Sequence, residues 1–123
     1  MPTKKAFVVD DNRNSAEVLS KMLMMLDIEP LICLGPREAI QRLSGDLPDV
    51  ILLDVNMPGI SGLEVVRYIR RDPRIANLPV IIVSSDAQTI EVANAISAGA
   101  NVFLPKPVNF ENLELALKDA LAP

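Results

Sequence analysis

The sequence predicts an α/β fold: one parallel sheet with helices packed on both faces. Three observations carry this. Five short apolar runs alternate strictly with five helical patterns over the whole length. The third run, Val50–Leu53, is uniformly apolar, as a central strand buried on both faces should be. No internal repeat, low-complexity segment or interdomain linker interrupts the 123 residues, so residues 1–123 read as a single domain.

The elements follow in order. Ala6–Val9 is the first strand, ending at Asp10-Asp11. Asn14–Leu26 reads as a helix, with Asn14 and Glu17 spaced as a capping box. Its stripe Leu19, Leu23, Leu26 faces the core, and Val18, Met22 and Met25 form a second stripe about 100° away. Apolar stripes are usually core, so both are read as buried. The alternative leaves Met22 and Met25 partly exposed, beside Pro107-Val108, to receive a partner's helices. Glu29–Leu34 is a second strand, and Pro36–Leu43 a short helix opened by its proline. Val50–Leu53 is the third strand, and Met57-Pro58-Gly59-Ile60 is a turn by composition. Ser61-Gly62-Leu63-Glu64 reads as a capping box opening a helix to about Arg71. Val80–Val83 is the fourth strand. Gln88–Ala98 is a helix closed by Gly99, and Asn101–Leu104 the fifth strand. Asn109 caps a last helix to about Leu121, with Ala116, Leu117, Ala120 and Leu121 inward.

Composition excludes several function classes. The net charge of −4 argues against nucleic acid as a partner of this domain, because binding phosphates needs a basic surface. Arg67, Arg70, Arg71 and Arg74 form a basic cluster, read as a solvated helix face. With no histidine, the chain has neither Ser-His-Asp nor Cys-His catalysis, and it cannot itself carry phosphohistidine. Cys33 is alone, which removes an internal disulfide, and it reads as a buried small hydrophobe. No apolar run has membrane-spanning length, and Met1–Ala6 lacks a signal-peptide core. A soluble, cytoplasmic protein with no membrane partner is the expectation.

Ligands of such sheets bind at the carboxyl ends of the strands. Strand one ends in Asp10 and Asp11, strand three in Asp54 with Asn56 two residues on, strand four in Ser84 and Ser85, and strand five is followed by Lys106. Taken singly, each has an ordinary explanation: a lone Asp pair complements a helix dipole, a serine caps a turn, a lysine is surface charge. Taken together they have a chemical logic. Clustered carboxylates repel unless a cation is present, and oxygen ligands suit a hard ion such as Mg²⁺ or Mn²⁺. A hydroxyl and a lysine then suit an oxyanion arriving beside the metal.

Several stretches carry a family resemblance: Val8-Val9-Asp10-Asp11, Ile51-Leu52-Leu53-Asp54-Val55-Asn56-Met57-Pro58-Gly59, Pro79-Val80-Ile81-Ile82-Val83-Ser84, Gly99-Ala100 and Phe103-Leu104-Pro105-Lys106-Pro107. In order and spacing the chain resembles the receiver domain of bacterial two-component response regulators, including the single-domain chemotaxis type. The resemblance implies a flavodoxin-like doubly wound (βα)5 three-layer sandwich with sheet order 2-1-3-4-5. It implies that Asp54 is phosphorylated by a histidine kinase or histidine phosphotransfer protein. Asp11, Asp54 and the Asn56 carbonyl would hold the metal, with Asp10 acting through a metal-bound water. Ser84 and Lys106 would bind phosphoryl oxygens, and Lys106-Pro107 would be cis. Ser84 and Phe103 would be the switch pair, remodelling the fourth helix, fifth strand and fifth helix for a downstream protein. Ser84 stands where threonine is more usual and Phe103 where tyrosine often is, so the switch signal rests on ring packing alone. Asn56 and Asp86 would flank the hydrolytic water and set a short phosphoryl lifetime.

The implied role is a phosphoacceptor switch that catalyses only its own phosphorylation and dephosphorylation. Three rivals are weaker. A phosphatase of the haloacid dehalogenase type needs a second acid where Asn56 stands and places its acidic pair last. A phosphorylation-independent interaction module usually lacks one of the site residues, and all are present here. A dinucleotide-binding domain needs Gly-x-Gly-x-x-Gly after the first strand, which is absent.

Overall fold

Side chains alternate across a strand, and here both sets are apolar, so the sheet is covered on both faces. The computed structural model describes residues 4–57, 59–85 and 89–122. The strands are β1 (Lys4–Val9), β2 (Ile28–Cys33), β3 (Val50–Asp54), β4 (Val80–Ser84) and β5 (Val102–Pro105). The helices are α1 (Arg13–Met25), α2 (Pro36–Leu43), α3 (Gly62–Arg71), α4 (Thr89–Ala98) and α5 (Phe110–Leu121). All strand pairs are parallel, in the order β2-β1-β3-β4-β5. The chain leaves β1 toward β2 on one side and returns to β3 on the other. That reversal opens a crevice at the carboxyl ends of β1 and β3.

One core layer joins Phe7, Val9, Ile51, Leu53 and Ile82 to Ala39 and Leu43 of α2, Val66 and Ile69 of α3 and Ala95 of α4. The other joins Ala6, Val8, Leu52, Ile81 and Val83 to Leu19 and Leu23 of α1 and Leu113 and Leu117 of α5. All five residues of β3 are buried, each aliphatic side chain contributing roughly 1.5–3 kcal/mol. Cys33 is buried too. Among the described residues, no helix is long and apolar enough to cross a membrane.

Local signals were placed less accurately than elements. α1 is capped by Asn12, whose side chain accepts from the Ser15 N–H, so the expected Asn14–Glu17 box does not form. Asp10 Oδ1 accepts the Asn12 N–H at 2.9 Å, and this turn moves the cap two residues and the helix start one residue earlier than expected. Ser61 does stand at the N-cap of α3, yet it makes no side-chain cap bond, and Glu64 pairs with Arg67 instead. The fifth strand begins at Val102, one residue after Asn101, whose N–H already donates to the Val80 carbonyl at 2.9 Å. The expected start of the fourth helix at Gln88 lies outside the described residues, as does Pro58 of the predicted turn. The second α1 stripe is core only in part: Met22 is half-buried against one core layer, whereas Val18 is 53% and Met25 72% exposed. Leu19 and Leu23 already fill the space above the sheet, so Val18 and Met25 meet solvent while Met22 packs at the margin. The arginine cluster is not uniformly solvated either, since Arg70 is half-buried and bonded through its guanidinium.

Candidate functional site

Strand register assembles the site. Val9 pairs with Leu53, which sets Asp10 beside Asp54. Asp54 pairs with Val83 and Ser84 with Pro105, which brings Ser84 and then Lys106 to the same edge. The Lys106 N–H donates to the Ser84 carbonyl at 2.8 Å and the Asp10 N–H to the Cys33 carbonyl at 3.1 Å, fixing both junctions. Lys106–Pro107 is cis, as the resemblance implied.

The charged groups converge closely. A carboxylate oxygen from each of Asp10, Asp11 and Asp54 lies within 4.8 Å of the others. Asp10, Asp54 and Ser84 are buried, whereas Asp11 is exposed. Lys106 Nζ donates to Asp10 Oδ2 at 3.2 Å and lies 3.9 Å from Asp54 Oδ1. The Asn56 N–H donates to Asp54 Oδ1 at 3.3 Å. Burial pushes the Asp54 carboxyl up to about 6; Asp10 adds to this, while Lys106 and the Asn56 N–H oppose it. One lysine therefore faces three carboxylates. An all-oxygen, strongly anionic set with one exposed edge fits a hard divalent cation that keeps part of its water shell.

A glycine sets the approach of α3 to this site. Gly62 opens α3 and donates its N–H to the Val55 carbonyl at 3.2 Å. A Cβ there would collide with the Asp54 carbonyl oxygen and stand 3.0 Å from the Asp54 carbonyl carbon and Val55 Cα. Gly62 thus lets the helix rest directly on the backbone of the aspartate. Sequence reading saw Gly62 only as part of a cap, because the clash exists only once α3 folds back over β3.

The remaining expected residues are spread around the centre. Phe103 is half-buried and packs against the layer beneath α2, α3 and α4. The Asn56 side chain is exposed, and Asp86 lies outside the described residues. Beside Lys106 a groove of about 520 Å³ runs between α1 and the β5–α5 connection, lined by Asn14, Val18, Leu19, Pro107 and Val108.

Comparison with known proteins gives concordant matches. The family model described as the response regulator receiver domain matches residues 6–118. The response regulator MprA of Mycolicibacterium vanbaalenii is 34% identical over 113 residues, covering 92% of this chain and 48% of that protein. The transcriptional regulatory protein CrdR of Helicobacter pylori is 31% identical over 115 residues, covering 94% and 54%. The chain spans about half the length of these two relatives. The structure of the chemotaxis protein CheY4 of Vibrio cholerae superposes with a TM-score of 0.91 at 28% identity, covering 98% of this chain and 100% of that one.

Proposed function

The chain belongs to the response regulator receiver family, and on that premise we propose that it is a phosphoacceptor switch whose acceptor is Asp54. The observation that carries this reading is the set of three carboxylates within 4.8 Å of one another, with Lys106 against two of them. Asp54 attacks the phosphorus of a phosphohistidine on a histidine kinase or phosphotransfer protein. A phosphorus–oxygen bond forms, the phosphorus–nitrogen bond breaks, and the imidazole leaves with the electron pair. Asp10, Asp11, Asp54 and the Asn56 carbonyl would hold Mg²⁺ or Mn²⁺. Bound there, the ion supplies positive charge to the carboxylates and the transferring phosphoryl group. Lys106 supplies the protein's own cation to a phosphoryl oxygen, and Ser84 a hydroxyl. The chain acts on no other substrate, so it is a switch and not an enzyme in the usual sense.

The output is a population shift driven by contacts made only to the phosphorylated form. Ser84 moves toward the phosphoryl oxygens, Phe103 turns inward, and the α4-β5-α5 face changes for a downstream protein. The groove beside Lys106 receives the donor, since a donor must reach Asp54 from a neighbouring surface. A Val18→Glu variant should keep acetyl phosphate reactivity and lose transfer from its kinase; loss of both, or of neither, removes the docking assignment. Asn56 tunes hydrolysis, so Asn56→Met should slow phosphate release after the donor is removed, and unchanged decay would end that assignment.

The test of the main reading is intact mass after incubation with acetyl phosphate. One phosphoryl group should be gained with Mg²⁺ and none without it, and Asp54→Asn should gain none. An adduct that persists in Asp54→Asn removes Asp54 as acceptor.

A further inference from the structure

At the edge of the sheet opposite Asp54, one arginine ties four segments together. Arg70, near the end of α3, donates from Nε to the Gly99 carbonyl at 2.9 Å. Its Nη1 donates to the Leu78 carbonyl at 2.6 Å and the Ala76 carbonyl at 3.0 Å, and its Nη2 to Asn101 Oδ1 at 2.9 Å. The same Asn101 oxygen accepts the Val80 N–H at 2.8 Å, where β4 begins. These acceptors are all uncharged, so no titration of a partner loosens the set.

Gly99 is shaped for this contact. Ala98 is followed by Gly99 at φ 115°, with its N–H bonded to the Ile96 carbonyl and the Ala100 N–H to the Ala95 carbonyl, both at 3.0 Å. This is a Schellman end, which glycine adopts without strain. A Cβ on Gly99 would meet Arg70 Cγ at 2.8 Å, so the bare α-carbon also lets the arginine stem pass beneath the helix end. The last turn of α4 contains no basic residue. Arg70 therefore supplies from α3 the positive charge that the carboxyl end of a helix favours.

We propose that Arg70 pins the C-terminal end of α4, making Gly99 the fixed point about which α4 swings its N-terminal end when Asp54 changes state. The swing rests on the phosphoacceptor reading above; the pin rests on the Arg70 contacts alone. Ten residues give α4 a length of about 15 Å, so a rotation of about 10° moves its first turn by roughly 2.5 Å and leaves its last turn in place. Motion is then greatest beside the β4 carboxyl end, which carries Ser84, and least where β5 begins. Arg70 is a positioning residue: it touches none of the site residues and decides which end of α4 is free.

Hydrogen exchange on the whole chain, read by mass spectrometry, tests both parts. Without a phosphodonor, Arg70→Ala and Arg70→Lys should speed exchange at Val80, Gly99, Ala100 and Asn101 by about tenfold or more, with β1 and β3 at parental rates. If Arg70→Ala does not fold, Asn101→Ala, which removes one acceptor from an exposed position, should show the same local loosening. Parental exchange at those four amides in the folded variants overturns the pin. With acetyl phosphate and Mg²⁺, and adduct formation verified by intact mass, the parent should change exchange in the first half of α4 and not at Gly99–Asn101. In Arg70→Lys the change should spread to Gly99–Asn101. Equal changes at both ends of α4 in the parent overturn the pivot. Failure to form the adduct overturns the phosphoacceptor reading and the swing, while the donor-free comparison still decides the pin.

Discussion

The two edges of the sheet treat charge in opposite ways. At the carboxyl edge, Asp10, Asp11 and Asp54 crowd together with Lys106 as their only close cation among the described residues, and burial holds Asp54 above the ordinary carboxylate range. At the amino edge, a single guanidinium is surrounded by neutral oxygens that match four of its donor directions. The first edge is left short of positive charge, and a cation or a neutralising reaction improves it. The second is already satisfied and gains nothing by moving. A switch needs both kinds of region: one whose energy changes on modification, and one that stays still so the change has a direction.

Gly62 is the sharpest place to break the carboxyl edge. Gly62→Ala forces α3 off the Asp54 backbone and should cost about 3 kcal/mol of stability. It should also slow phosphorylation by acetyl phosphate on the order of 100-fold through displacement of Asp54, the proposed acceptor. Urea unfolding and intact-mass kinetics measure the two effects. Parental values in both would show that the backbone contact is unimportant.

Neutralising the same edge should stabilise it. Millimolar Mg²⁺ should raise the melting temperature by about 3–6 °C, and Asp11→Ala should remove that response. In metal-free buffer, Asp54→Asn should stabilise more than Asp11→Ala, because Asp54 is buried and Asp11 is exposed. No shift with Mg²⁺ in the parent, or a larger gain from Asp11→Ala, contradicts this order.

The pH dependence has a definite sign. The folded chain holds Asp54 at about 6, above the unfolded value near 3.8, so folding favours the protonated form. Its contribution to stability is full below about 3.8 and is lost as pH rises through about 6. In metal-free buffer the stability gap between Asp54→Asn and the parent should therefore be widest above pH 7 and shrink as pH falls through 6. Parallel melting curves across that range would count against a buried, raised Asp54.

A smaller effect lies outside both edges. Asp27 follows the C-cap of α1 at φ 61°, and it places a negative charge where a helix carboxyl end disfavours one. Asp27→Gly should raise stability by about 0.5–1 kcal/mol in urea unfolding with no change in phosphorylation, and a loss of stability would show that the backbone there is not strained.

Much of this was legible in the sequence where one residue type at one strand end is enough. Asp10, Asp54, Ser84 and Lys106 lie at strand termini, and a parallel sheet brings those termini to one edge whatever the details of packing. All ten elements were found, with bounds displaced by a residue or two. What stayed hidden depends on approach between segments distant in sequence. Arg70 and Gly99 are 29 positions apart, and nothing local separates Arg70 from its solvated neighbours Arg67 and Arg71. Gly62 is informative only through the atoms its missing Cβ would strike. The α1 cap moved from Asn14 to Asn12 because Asp10 turns the chain earlier, a contact that a capping pattern does not encode.

The central claim is that Asp54, and neither Asp10 nor Asp11, takes the phosphoryl group. An acyl phosphate is reduced by borohydride to an alcohol, which converts the modified aspartate to homoserine. Peptide mapping of the chain after acetyl phosphate, Mg²⁺ and borohydride should place homoserine at position 54 and leave positions 10 and 11 as aspartate. Homoserine at 10 or 11, or at none of the three in a chain whose intact mass carries the phosphoryl group, would contradict the account.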